Sequence, residues 1–167
     1  MRQISFSITT IIIIGLLLLT GCNDDSCNRE LNINIANQDL HEQDIATIDS
    51  FLAENDIEAE TDPSGLRFVI NNEGNGSQPE LCDDVAVTFS GRLLSNGNEF
   101  DSAENPIRFR LLDLISAWQI GIPKIREGGS ITLYVPSNLG FGARAAGEIP
   151  PNSNLIFDVQ LVSVLNR

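Results

Sequence analysis

Beyond Leu66 the chain keeps an apolar–polar period of two, and one short stretch of helical spacing interrupts it before a proline stops that stretch. Val85, Val87 and Phe89 alternate with Ala86, Thr88 and Ser90, the pattern of a strand with one buried and one polar face. Ile131, Leu133 and Val135 repeat it, and Phe157, Val159 and Leu161 close it. Leu66 to Ile70 and Ile107 to Leu111 supply two further strands. Between Leu94 and Phe100, Asn96-Gly97 reads as a hairpin turn because both residues tolerate positive φ. Leu111, Leu114, Ile115, Trp118 and Ile122 carry the helical period, with Asp113 as the expected N-cap. Gly121 and Pro123 must end that helix, since an interior proline loses a hydrogen bond and clashes one turn back. Many strands and one short helix predict an α+β fold, an antiparallel sheet wrapped around that helix.

The breaker cluster Thr61-Asp62-Pro63-Ser64-Gly65 sets the boundary of this block, which is expected to span residues 63–167. Upstream, over 39–62, Leu40, Ile45, Ile48, Phe51 and Leu52 recur at helical spacing, with Asn55-Asp56 as the stop. The apolar face of this helical extension is expected to pack on the domain, with dimerisation as the alternative. His41, the chain's one histidine, sits among acidic residues and reads as a solvated surface side chain. Residues 22–38 are polar and Asn-rich and read as a flexible tether.

Residues 1–21 read as a signal peptide. Arg2 precedes an almost wholly apolar run from Ile8 to Leu19, too short for a good transmembrane span. Leu19-Thr20-Gly21-Cys22 looks like a bacterial lipobox, which implies a lipid on Cys22. An ordinary cleaved signal or an uncleaved anchor stays open. Asn23 rather than Asp follows the cysteine, which by the same resemblance favours the outer membrane, facing the periplasm or the cell surface. In an oxidising compartment Cys27 and Cys82 could pair; two unpaired thiols are the other possibility. Ten Lys and Arg against 23 Asp and Glu give a formal net charge of −13, which repels phosphate backbones and argues against nucleic-acid partners. Anionic lipid surfaces are disfavoured for the same reason, so attachment to a membrane must be covalent or hydrophobic.

Six short motifs then fall in a telling order: Val85 to Gly91, Phe100-Asp101-Ser102, Leu114-Ile115 with Trp118, Phe141-Gly142, Ile149-Pro150-Pro151, and Leu155 to Val159. In order and spacing they resemble the FKBP-type peptidyl-prolyl cis-trans isomerases across roughly residues 64 to 167. The resemblance implies an FKBP-like fold and a pocket walled by aromatic rings, with no metal and no cofactor. Trp118 would form the floor, Phe89, Phe100 and Phe157 the walls, and Leu114 and Ile115 one side. The Ile115 N–H would donate to a substrate carbonyl, Asp101 would stand at the rim, and Ile149 would cap the pocket. Phe141 and Phe89 stand where the family carries tyrosines, and Ile107 where it carries an aromatic after Pro106. Glu148 makes the rim more acidic. The partners implied are proline-containing unfolded or exported polypeptides. The alternative is a proline-segment binding module or holdase with little turnover. A third class, an enzyme using Asp101 as general base, lacks any His, Cys or Lys near it in the motif set. Oligomeric state is not readable from the sequence.

Overall fold

The computed structural model describes residue 35 and residues 37–165. The signal and lipidation assignments, with Cys22 and Cys27, therefore lie outside the described residues. Among the described residues, six strands build one antiparallel sheet: β1 (Glu60–Thr61), β2 (Arg67–Asn72), β3 (Asp84–Leu93), β4 (Glu99–Arg110), β5 (Ser130–Val135) and β6 (Leu155–Leu165). Their spatial order is β1-β2-β5-β6-β3-β4, so the two longest pairings, β3 with β4 and β3 with β6, meet in β3.

The period of two is what seats this sheet. Ile131, Leu133 and Val135 of β5 join Leu155, Phe157, Val159 and Leu161 of β6 in the main core, with Val85 and Val87 of β3. Helix α2 (Ser116–Gly121) lies in that core with Ala117 and Trp118 buried. It comes so close to the sheet that a Cβ on Gly121 would stand 2.6 Å from a Leu133 methyl. Glycine is needed there for approach, not for backbone conformation.

The β3–β4 hairpin turns where Asn96-Gly97 predicts. Gly97 takes φ +73° and donates to the Leu93 carbonyl at 2.8 Å, and Asn96 Oδ1 accepts from the Asn98 N–H. Two expectations change in detail. Ile107 to Arg110 is not a separate strand but the end of one long β4, with register shifts opposite Val87/Phe89 and Gly91/Arg92, and Leu111 lies beyond it. The helical stretch 111–122 is broken into a 3-10 turn (Leu111–Asp113), α2, and a second 3-10 turn (Ile122–Lys124) that contains Pro123. Leu114 and Ile115 between the first two are extended, so Ile115 rather than Asp113 occupies the N-cap of α2.

Helix α1 (Gln38–Glu54) starts at Asn37, whose side chain accepts from the Leu40 N–H, and ends at Asn55, after which Asp56 turns left-handed at φ 54°. It packs on the sheet face opposite α2. Ile48 and Leu52 are buried there against Leu94, Tyr134 and Ile156, contacts that stabilise by about 1.5–3 kcal/mol per side chain. The first strand, Glu60–Thr61, pairs with β2 inside the stretch read as helical extension, so the sheet begins before the breaker cluster. His41 is corrected outright: it is 4% exposed, with Nδ1 2.9 Å from Asn138 Oδ1. Of its acidic neighbours on α1, Asp39 and Glu42 face solvent while Asp44 is buried, and Asn138, which meets its ring, lies 97 positions away.

Candidate active site

One apolar cavity of about 240 Å³ opens between α2, the β3–β4 hairpin, β6 and the loop after β5. Trp118 forms its floor because α2 presents it toward the sheet, where it is 4% exposed. Three rings meet the indole edge to face: Phe89 of β3 at 5.1 Å and 80°, Phe157 of β6 at 5.5 Å and 88°, and Phe109 of β4 at 6.2 Å and 88°. Phe100 extends the wall against Phe157 at 5.6 Å and 83°. Such pairs add about 0.5–1.5 kcal/mol each beyond area burial, enough to hold the rings as a rigid frame. Gly91 makes room for it. A Cβ at that position would lie 2.7 Å from Phe100 Cζ and 2.8 Å from Phe157 Cε1.

Leu114 and Ile115 complete one side. The break in the helical stretch now has a purpose, because an extended Ile115 (φ −60°, ψ 151°) leaves its own N–H outside the helix ladder. That N–H finds no acceptor among the described residues, whereas the Ile115 carbonyl accepts from Trp118 and Gln119. The Trp118 Nε1 donor is likewise buried without an acceptor among the described residues. Phe141 reaches the mouth from the loop after β5 and stays exposed.

At the rim stand two carboxylates, Asp101 and Asp113, neither in an ion pair among the described residues. No histidine, cysteine or lysine lines the cavity, so Asp101 has no partner for general-base chemistry. Among the described residues no group of His, Cys, Asp and Glu could hold a metal ion. What the arrangement can do is bind a compact apolar group, exclude water from it, and offer one backbone donor at the edge.

The structure thus brings together Phe89, Phe100, Asp101, Leu114, Ile115, Trp118, Phe141 and Phe157. Two expected residues stand apart. Ile107 is 43% exposed on β4 and does not line the cavity; Phe109, on the same face two residues on, meets the indole instead. Ile149 is buried in the main core and is not among the residues that line the cavity. Phe109 was the residue missed, and its shared parity with Ile107 was the available signal. Cys82 is disulfide-bonded; with Cys22 and Cys27 outside the described residues, its pairing with Cys27 stays an expectation.

Comparison with known proteins points one way. Residues 75–162 match the family model for FKBP-type peptidyl-prolyl cis-trans isomerases. A probable FKBP-type peptidyl-prolyl cis-trans isomerase FkpA of Neisseria meningitidis is 40% identical over 122 residues, 70% of this chain and 44% of the relative. The crystal structure of FkpA from Escherichia coli superposes with a TM-score of 0.66 at 33% identity, covering 77% of this chain and 64% of that one. A peptidyl-prolyl cis-trans isomerase from Pseudomonas syringae gives 0.65 at 28% identity, covering 75% and 96%. The chain spans less than half the length of the curated relatives it matches.

Proposed function

The chain belongs to the FKBP-type peptidyl-prolyl cis-trans isomerases, and from that premise we propose that it rotates Xaa-Pro peptide bonds in the cavity over Trp118. The observation that carries the reading is the set of aromatic walls around Trp118 beside the unpaired Ile115 N–H. Uncatalysed rotation crosses about 18–20 kcal/mol because the twisted amide loses resonance. Water stabilises the planar form through its partly charged oxygen, so a dry pocket favours the twisted one. The proline ring sits on the Trp118 indole, and the Ile115 N–H holds the segment by a carbonyl. No bond is made or broken, and the residues need supply neither acid nor nucleophile. A tenfold acceleration requires only about 1.4 kcal/mol of preference for the twisted amide.

The N-terminal pattern of residues 1–22 supports a lipid on Cys22 and a place in the cell envelope, outer membrane included. There the clients are exported, proline-containing chains, whose uncatalysed isomerisation takes tens to hundreds of seconds. A second reading, a binding module with little turnover, is favoured by one feature: Phe89 and Phe141 offer no hydroxyl to a substrate carbonyl. NMR exchange on a short Xaa-Pro peptide separates the two. Faster cis-trans exchange with the wild-type protein, lost in Trp118→Ala, is the expected result. Peptide shifts without faster exchange would leave the binding module standing.

A further inference from the structure

Helix α1 does more than cover the back of the sheet. The loop between Val135 and Leu155 carries Phe141 to the cavity mouth, and α1 holds both of its stems. At the outgoing stem, the Asp44 carboxylate accepts from the Ser137 N–H at 3.0 Å and from the Ser137 hydroxyl at the same oxygen. Both residues are buried, Asp44 at 5% and Ser137 at 1% exposed. One turn back along α1, His41 meets Asn138. At the returning stem, Asn154 Nδ2 donates to the Asp44 carbonyl at 3.4 Å. The Ser137 carbonyl in turn accepts from the Gly142 N–H at 2.8 Å, and the Gly142 carbonyl from the Asn152 N–H at 2.8 Å. A chain of hydrogen bonds therefore runs from Asp44 through Ser137 and Gly142 to Asn152, with Phe141 inside it.

A buried carboxylate on a helix is costly unless its oxygens are hydrogen-bonded, and Asp44 finds these partners only on the loop. An apolar side chain there would serve to attach α1 to the sheet, which Ile48 and Leu52 already do. We infer that Asp44, with His41 beside it, is a positioning residue that fixes the Phe141 loop over the proline cavity. The helical extension is thereby part of the isomerase site's substrate-binding geometry. The inference rests on the reading of that cavity as the proline site. Its consequences for loop order, however, are independent of turnover.

The test compares Asp44→Ala, the acceptor-retaining Asp44→Asn, and Ile48→Val, which loosens α1 without touching the loop. Amide hydrogen exchange over residues 137–152 is read together with kcat and KM for an Xaa-Pro peptide. Loss of the Asp44 acceptor should speed exchange at Ser137 to Gly142 by about tenfold, the equivalent of one buried hydrogen bond. KM should rise several-fold while kcat changes by less than about twofold, the signature of lost binding rather than lost chemistry. Asp44→Asn should recover part of both effects, and Ile48→Val should lower thermal stability without selective exchange in the loop. If Asp44→Ala fails to fold, Ser137→Ala removes one of the two contacts from the loop side and should shift the same amides. Loop exchange in the Asp44 variants no faster than in Ile48→Val would overturn the inference. A wild-type protein without turnover but with the selective exchange effect would sink the isomerase reading and leave the clamp intact.

Discussion

At the scale of single residues, the cavity depends on what is missing as much as on the rings. Gly91 sits mid-strand in β3, where glycine weakens a sheet, and its backbone is not in the left-handed region. Its value is the space that Phe100 and Phe157 fill. Gly91→Ala must push one of these rings aside, and neither has a flexible end that can yield. We expect a loss of about 1–3 kcal/mol in stability, the usual range for overpacking. Peptide affinity should fall alongside it, because the displaced ring is a cavity wall. Urea unfolding and a peptide titration followed by Trp118 fluorescence would check both; unchanged affinity would mean the wall is not where proline binds.

At the scale of elements, contacts between segments decide what periodicity alone leaves open. Asp62, in the turn before β2, accepts from Lys124 Nζ at 2.8 Å, and Lys124 also lies 4.6 Å from the centre of the Phe68 ring. This pair ties the turn that enters the sheet to the end of the α2 segment. Burial raises the Asp62 pKa, but hydrogen bonds from Lys124 and Ser64 outweigh it and hold the carboxyl below its ordinary value. A depressed folded-state pKa stabilises above the unfolded value and loses that contribution as pH falls through the folded one. Asp62→Asn should therefore be less stable than wild type at pH 7 by up to about 1 kcal/mol. Urea midpoints across the acid range should show the difference shrinking as pH falls below the ordinary aspartate value and vanishing once the folded-state carboxyl is protonated as well. A gap of equal size at both ends would exclude ionisation as its source. The same dependence on partners explains what the sequence could and could not convey. The Asn96-Gly97 turn and the alternation in β3, β5 and β6 are locally encoded and were legible, while eight of the residues that line the cavity were legible only through the resemblance of the ordered motifs to the family. The burial of His41 against Asn138 leaves no mark within its own segment, whereas Ile107 and Phe109 share one parity, and only the packing of Phe109 on the indole separates them. The break at Leu114 and Ile115 was hidden for a different reason: their spacing is helical while their backbone is extended.

For the molecule as a whole, charge and cavity act together. The formal net charge is −13, and the mouth of the cavity adds Asp101 and Asp113, with no ion pair to neutralise either among the described residues. In its proposed role, an apolar pocket for a proline ring would have little means of choosing among sequences, so selectivity would come from the residues flanking proline and from the field they meet. Peptides with Lys or Arg beside proline should be turned over with a higher kcat/KM than their Glu counterparts. Exposed pairs are worth about 0.2–1 kcal/mol each, so the ratio should be a few-fold at low salt. At about 1 M salt the Debye length shrinks to ~3 Å, and the ratio should collapse toward one. Asp113→Asn should lower the ratio at low salt and leave the high-salt rate nearly unchanged, since this exposed carboxylate lines the cavity and accepts no hydrogen bond from the indole. A preference that survives high salt would have to come from shape, and the rim carboxylates would then have no part in choosing substrates.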